Sequence, residues 1–367
     1  MNSKERILAA LNCEQPDRVP VFDHVDDSIR VKIIEKLGIR KPSSSSVRMK
    51  VLAGEDENLD RIETYCLMVQ ELALDATWLN LSRDLESIDG DYCKDHYGNV
   101  FRLSDHGQPV IVEGAIKDAA RVKNYDMAAN LKGEYFAAAR HIIDRLGPRI
   151  AHFMSLPDPF KESWYLRGGM ENLLLDYYFN PDLVHALARI ATDYGLAVID
   201  VAAGLGVDGF IMGGDLAGGK TLLISPDHFR QYIKPYHAEL VAYAHEKDLK
   251  IVKHSDGNAW MVLDDLVELD FDGFHPVQPQ CMDIEAVKRH LAGKTCVLGN
   301  IDCQDLLPSG TQREVDQAVK DTIKKAAPGG GYILTSSNSI HPGCKPENFI
   351  AMVRAAHAYG KYAEMVT

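Results

Sequence analysis

The stretch IVKHSDGN, residues 251–258, runs from apolar residues straight into His254, Ser255, Asp256 and Gly257. An imidazole and a carboxylate two residues apart can ligate a metal ion or move protons. A loop that caps a strand end uses the same residue types, so the pair alone is a weak signal. Its weight grows because other apolar runs end alike. Asp23 ends the run 19–23 with His24 and Asp26 just beyond, Asp158 follows 150–156, and Asp215 follows 209–214. His275 and Gln278 lie in 273–279; Asn300, Asp302 and Cys303 close 295–302; Ser336, Asn338, His341 and Cys344 close 330–337. Zinc takes about four N, S or O ligands, and a catalytic site leaves one position for substrate. His254, Asp256, Cys303 and Cys344 are therefore the candidate metal ligands. The plain structural uses of the two cysteines are a helix-start residue after GNID and a turn residue in HPGCKP. His254 and Asp256 are also candidate catalytic groups. His275, Asp215 and His24 are candidates to orient a substrate or shuttle a proton, and Asn300, Ser336 and Asn338 to contact a cofactor. Trp78, Trp164 and Tyr165 are aromatic candidates for stacking on a ring, although core packing is the commoner role of each.

Those residues can meet only if the elements carrying them share one end of a fold. Eight short apolar runs recur, at 19–23, 76–81, 150–156, 209–214, 249–254, 273–279, 295–302 and 330–337. Each is bounded by Gly, Pro or Asp, as expected of strands buried on both faces. Helix signals fill the gaps: apolar residues at helical spacing, Ser225 as a cap with Pro226 at the first helical position, and DIEAVKRHLAG and KPENFIAMVRAAHAYGKY later on. Eight alternations predict a single (β/α)8 TIM barrel over 1–367, with N-terminal helices; a doubly wound open sheet gives the same alternation. In a barrel the chemistry belongs at the C-terminal strand ends. Residues 91–118 read as an inserted β-hairpin turning at YGN. The loop of about fifty residues after 19–23, containing KPSSSS, is of a length usually tied to function.

The 367 residues are 46% hydrophobic and 25% charged, the composition of a globular chain. A net charge of −13 argues against nucleic acid or an anionic membrane as partner. No apolar run reaches the ~20 residues of a membrane span. The first residues lack a signal-peptide core, so a cytoplasmic location is expected. Seven widely spaced cysteines without a C-x-x-C pair are not a disulfide framework. Two nucleotide-binding patterns occur. GLGVDG (Gly204, Gly206, Gly209) follows a helix and precedes a strand, the reverse of the dinucleotide fingerprint. GDLAGGKT (Gly214 to Thr221) is separated by LLI from the helix that a phosphate loop should open, so NTPase chemistry is disfavoured.

SKERILAALNCEQPDRVPVFD, ISPDHFRQYIKPYHAEL, KIVKHSDGN, VLGNIDCQDLL and GGGYILTSSNSIHPGCKPENF together resemble the uroporphyrinogen decarboxylase superfamily over nearly the whole chain. The resemblance implies one (β/α)8 barrel. Its decarboxylases carry an arginine-rich segment after the first strand; here HVDDSIR stands there, acidic where a polycarboxylate substrate needs cations. The corrinoid-dependent methyltransferases of the superfamily use zinc. The branch that methylates coenzyme M places H-x-C after the fifth strand and a Cys after the eighth. His254 and Cys344 match that pattern, but Asp256 replaces the first Cys, and Cys303 is a candidate to supply the missing thiolate. A mixed His, Asp and Cys site leaves zinc a harder Lewis acid, better suited to an oxygen ligand. The resemblance thus implies a zinc methyltransferase moving a methyl group from a methoxylated aromatic or a methylamine to the Co(I) corrinoid of a partner protein. A thiol methyltransferase, a decarboxylase and a corrinoid or tetrapyrrole binder without turnover are the alternatives, and a homodimer stays open.

Overall fold

The computed structural model describes residues 1–39, 55–82, 84–103 and 109–364. The KPSSSS segment lies outside them. The chain first forms β1 (Ala76–Leu79). An antiparallel meander follows: β2 (Leu85–Asp89), β3 (Tyr92–Asp95), β4 (Val100–Leu103) and β5 (Pro109–Glu113). Next come β6 (Ala151–Leu156), β7 (Gly209–Met212) and a short hairpin of β8 (Ala217–Gly218) and β9 (Thr221–Leu222). The last strands are β10 (Lys250–His254), β11 (Gly273–His275), β12 (Cys296–Ile301) and β13 (Tyr332–Ser336).

Seven of these strands pair in parallel in the order β1-β6-β7-β10-β11-β12-β13, a curled sheet with helices between successive strands. The predicted first strand, 19–23, takes the eighth place without becoming a regular strand. Val21 bridges Leu334 of β13, and the Asp75 N–H donates to the Val21 carbonyl just before β1. The barrel predicted from the alternation of runs is therefore the observed fold. β1, β7, β11, β12 and β13 are buried along their whole length, which is why their sequences are near-continuously apolar. Phe22, Trp78, Phe153, Ile211, Val252, Leu298 and Ile333 share one interior cluster with Ile7, Ala10 and Leu11 of the helix Ser3–Leu11. That helix packs against β1, β6 and β13 and closes the bottom of the barrel.

The first family-like motif, SKERILAALNCEQPDRVPVFD, acts at that bottom. Asp75, fully buried, accepts from Arg6 Nη1 (2.7 Å), Arg18 Nη1 (2.7 Å) and the Val21 N–H (2.9 Å). These pairs tie the first helix and the PDRVPV segment to the entry of β1.

Three local expectations changed. The insertion is a four-stranded meander beginning at Leu85, not a single hairpin, although its YGN turn is present: Asp95 Oδ1 accepts from the N–H groups of Tyr97 and Asn99. The helix expected to open at Ser225 and Pro226 does so, with Ser225 Oγ accepting from the His228 N–H at 3.1 Å. It then passes through a π-helical turn, Phe229–Ile233, before Lys234–Glu246. Pro235 has no N–H to offer the preceding turn, which favours the widened ladder there. The long loop before β1 carries the helices Asp27–Lys36 and Glu55–Glu71. Both nucleotide patterns lack their binding context. Gly204 caps the helix Pro181–Ala203, and Lys220 and Thr221 sit at the β8–β9 hairpin, where no helix starts.

Candidate functional site

The parallel register of β10 and β11 sets His254 beside His275. The two rings stack at 5.0 Å with their Nδ1 atoms 2.7 Å apart; His254 lines the cavity and His275 is buried behind it. His254 Nε2 faces two carboxylates, Asp215 Oδ1 at 3.5 Å and Asp256 Oδ1 at 4.0 Å. Asp215 comes from the loop after β7. It is locked to the β10 loop by the Asp256 N–H, which donates to Asp215 Oδ1 at 2.9 Å. Asn338, beyond β13, donates its side-chain amide to Asp256 Oδ2. Ser255 Oγ accepts from the Leu216 N–H at 2.9 Å, stitching the same two loops. Gly257, at φ +76°, brings its backbone against Ala217, where a Cβ would lie 2.8 Å from the Ala217 carbonyl carbon. The HSDG sequence therefore reads as two side chains aimed at a site, one stitch and one close approach.

Asp215, His254 and Asp256 each offer one ligand atom within 4.8 Å of the others, the one group of this kind among the described residues. The donor set suits a divalent cation: one imidazole nitrogen with two carboxylates. Asp256 Oδ1 is buried with no hydrogen-bond partner, so it has a lone pair aimed at nothing the protein supplies. Burial first, and the Asp215 charge second, push the Asp256 carboxyl up to about 7. Burial, then the Lys253 and Lys161 charges, push His254 down to about 3, which keeps the imidazole neutral and able to ligate. Burial, followed by the neighbouring His254 and His24, holds His275 well below its usual range.

The two cysteines stand apart from this group. Cys303 is buried, its thiol accepting from Ser337 Oγ at 3.3 Å, and the Cys344 thiol reaches the Cys303 carbonyl at 3.9 Å. Burial raises both thiols, Cys344 to about 12, so each is a neutral thiol as the chain stands. Of the four residues expected as ligands, the structure brings His254 and Asp256 together with Asp215 beside them, while Cys303 and Cys344 pack against each other apart from that group. Two of the expected cofactor contacts also turn inward. Asn300 donates to the Val277 carbonyl at 2.9 Å, and Ser336 bonds the buried Asp23 through both its N–H (2.6 Å) and Oγ (2.9 Å). Asn338 alone of the three reaches the site.

A cavity of 390 Å³ opens beside His254 and Asn338. His24 and Trp78 line it with Asn80 and Ser155, which sequence alone had not singled out. These four form one hydrogen-bonded wall. Trp78 Nε1 donates to Ser155 Oγ (2.9 Å), Ser155 donates to Asn80 Oδ1 (2.6 Å), and Asn80 Nδ2 donates to His24 Nε2 (3.1 Å). The Trp78 ring meets His24, His254 and His275 edge-on at 5.1, 6.2 and 5.4 Å. The Trp164 and Tyr165 rings meet at a tilt of 41°, and neither lines the cavity.

Below the rim lies a fully buried ion group. Lys253 Nζ donates to Asp158 Oδ2 (2.8 Å) and to the Gly214 carbonyl (2.7 Å), and His237 Nε2 meets the same carboxylate oxygen at 2.9 Å. Asp158 also caps the helix Pro159–Leu166. The visible signal was a lysine inside the apolar run KIVKH; its partners, 95 and 39 residues away, were not visible.

Comparison with known proteins follows the same lines. The uroporphyrinogen decarboxylase (URO-D) family model matches residues 95–359. The methylated-thiol–coenzyme M methyltransferase of Methanosarcina mazei is 24% identical over 200 residues, 54% of this chain and 51% of that protein. The chain thus matches about half the length of that relative. The solved structure of a methyltransferase from Methanosarcina mazei superposes with a TM-score of 0.73 over 98% of this chain and 99% of that one, at 19% identity, a likeness of fold. Among the described residues no helix is long and apolar enough to cross a membrane. With a barrel of matching topology and a family model spanning most of the sequence, this chain belongs to the uroporphyrinogen decarboxylase family.

Proposed function

We propose that this protein is a methyltransferase that takes a methyl group from a small methylated substrate, a methoxylated aromatic or methylated amine, and passes it to the Co(I) corrinoid of a partner protein. The observation that carries this reading is the Asp215–His254–Asp256 group, with its unpartnered Asp256 Oδ1, at the mouth of a 390 Å³ cavity. Its relatives named as methyltransferases support the reaction class. Zinc bound at this group supplies Lewis acidity that stabilises negative charge on the departing heteroatom.

The chain's own residues do the rest. With His254 Nε2 turned to the carboxylates, its Nδ1–H donates to His275 Nδ1, which leaves the proton of His275 on Nε2. That bond fixes the ring of His254. Asn338 occupies Asp256 Oδ2 and leaves Oδ1 for the ion. Burial first, and the Arg30 charge second, push His24 down to about 4, so it is neutral and acts as a hydrogen-bonding wall. Trp78 and its Ser155–Asn80 brace present a rigid aromatic edge that keeps water from one side of the substrate. An imidazole with two carboxylates is a hard donor set and favours an oxygen leaving group over sulfur. The second reading, methyl transfer involving a thiol, is favoured by the likeness to a methylated-thiol–coenzyme M methyltransferase. A decarboxylase of polycarboxylate porphyrinogens finds one cation, Lys161, among the described lining residues.

The test has two arms. Purified protein is assayed for metal, and less than roughly a tenth of a zinc per chain, with His254→Ala retaining activity, sinks the metal site. The protein is then incubated with reduced corrinoid and a panel of methyl donors while the cobalt spectrum is followed. Methyl–cobalt formation from an ether or amine supports the proposal; demethylation of methylcobalamin by a thiol supports the second reading.

A further inference from the structure

Lys161 is a half-buried lysine that lines the cavity with His24 and His254. The chain carries 53 acidic residues against 40 basic ones, so an ion pair is the common fate of such a cation. Among the described residues none is within ion-pair distance of Lys161 Nζ; its one recorded contact is the face of Tyr165, 5.8 Å from the ring centre. The nearest acids are spoken for. Asp158 is held by Lys253 and His237, and Glu162, nearly fully buried, has contacts of its own. The cavity is therefore lined both by His254 of the metal-type group and by an ammonium that no described carboxylate neutralises. An anion entering the cavity can pair with that ammonium through a charge-assisted hydrogen bond.

We infer that the substrate is a small anion whose carboxylate or sulfonate is bound by Lys161 while its methylated heteroatom is presented to Asp215, His254 and Asp256. The inference rests on the proposed methyl-transfer site and narrows it: methylated ammonium ions are repelled, and methoxylated or methylthio acids are accepted.

The experiment measures binding, not turnover. Calorimetric titrations compare para-methoxybenzoate with para-methoxybenzamide, methoxyacetate with methoxyacetamide, and methylthioethanesulfonate with methylthioethanol. In wild-type protein at least one acid binds about tenfold or more tightly than its neutral partner. Lys161→Met abolishes that preference, and Lys161→Arg, which keeps the charge, retains it. A wild-type protein that prefers no acid over its neutral partner overturns the inference, as does a preference that survives in Lys161→Met. The carboxylate and sulfonate pairs tell which anion is taken. Zinc content and the corrinoid assay on the wild-type protein separate the two claims: an acid preference that Lys161→Met abolishes, in a wild-type protein that neither holds zinc nor transfers a methyl group, sinks the methyl-transfer reading alone.

Discussion

Replacing Lys253 by methionine tests whether the buried ion group holds the site in shape. Lys253 and Asp158 are both fully buried, and the ammonium gives hydrogen bonds of 2.8 Å to Asp158 Oδ2 and 2.7 Å to the Gly214 carbonyl. Methionine fills much of the volume but leaves the carboxylate without its cation, and breaking one side of a buried pair costs about 3–5 kcal/mol. Asp158 keeps three donors: the Phe160 N–H at 2.8 Å, the Lys161 N–H at 3.2 Å and His237 at 2.9 Å. The loss therefore falls near the low end, about 3 kcal/mol. His237 is held below its usual range by burial and by the Lys253 charge, and pulled upward by Asp158. Without Lys253 the imidazole takes up a proton more readily and replaces the missing cation, so Lys253→Met loses less stability at pH 6 than at pH 8. The Gly214 carbonyl also loses its donor, one residue before Asp215, so zinc affinity falls together with stability. Urea unfolding at both pH values, with a zinc titration of the folded variant, reads all three effects. Asp158→Asn added to Lys253→Met recovers at least about 1 kcal/mol over the sum of the single losses. A loss below about 1 kcal/mol for Lys253→Met, or strictly additive losses in the double variant, refutes the view that the pair is a coupled, desolvated support.

Three further outcomes are expected. Burial pushes the Asp23 carboxyl up to about 7 against an unfolded value of 3.8, so its contribution is full below pH 4 and is lost as pH rises through 7. Asp23→Asn then stabilises by up to about 4 kcal/mol more at pH 8 than at pH 4, read as the difference from wild type in paired denaturation curves. His275→Phe keeps a ring against Trp78 but removes the acceptor for His254 Nδ1–H, and should weaken zinc binding by about 10–100-fold in a competition titration, with little change in fold by circular dichroism. Gly257→Ala meets the Ala217 backbone at 2.8 Å from a φ of +76°; a loss of about 1–3 kcal/mol is expected, and an unchanged melting temperature would show that the two loops move apart freely.

The strand cores were legible because a two-sided buried strand leaves an unbroken apolar run, and β7, β12 and β13 each fall inside a run predicted for them. His254 was legible because an imidazole ending such a run is conspicuous. What periodicity cannot convey is which strand-end residues turn into the rim and which turn into the wall. Asn300, Ser336 and Cys303 follow the same kinds of runs as His254, yet their polar ends are taken by Val277, Asp23 and Ser337. Asp215 enters the metal-type group through a backbone N–H of the neighbouring loop, a contact across 41 residues that no local pattern records. Residues 19–23 read as a strand on composition, but their hydrogen bonds go to isolated partners in β13 and before β1. Lys161, Asn80 and Ser155 gave no sequence signal, since single polar residues beside apolar runs are ordinary on any surface.

The segment 19–23 has a consequence for how the chain comes together in time. It fills the gap between β13 and β1, and its Asp23 is bonded by Ser336, 313 residues further along. Closing so long a loop carries an entropic cost that only the finished sheet can offset. Until Tyr332–Ser336 has emerged during synthesis, β12 lacks its outer neighbour, and the 19–23 segment lacks the Leu334 carbonyl and N–H that flank Val21. A nascent or truncated chain ending before β13 therefore exposes unpaired strand edges at the two ends of the curled sheet, the form of this protein most open to chaperone capture and to aggregation.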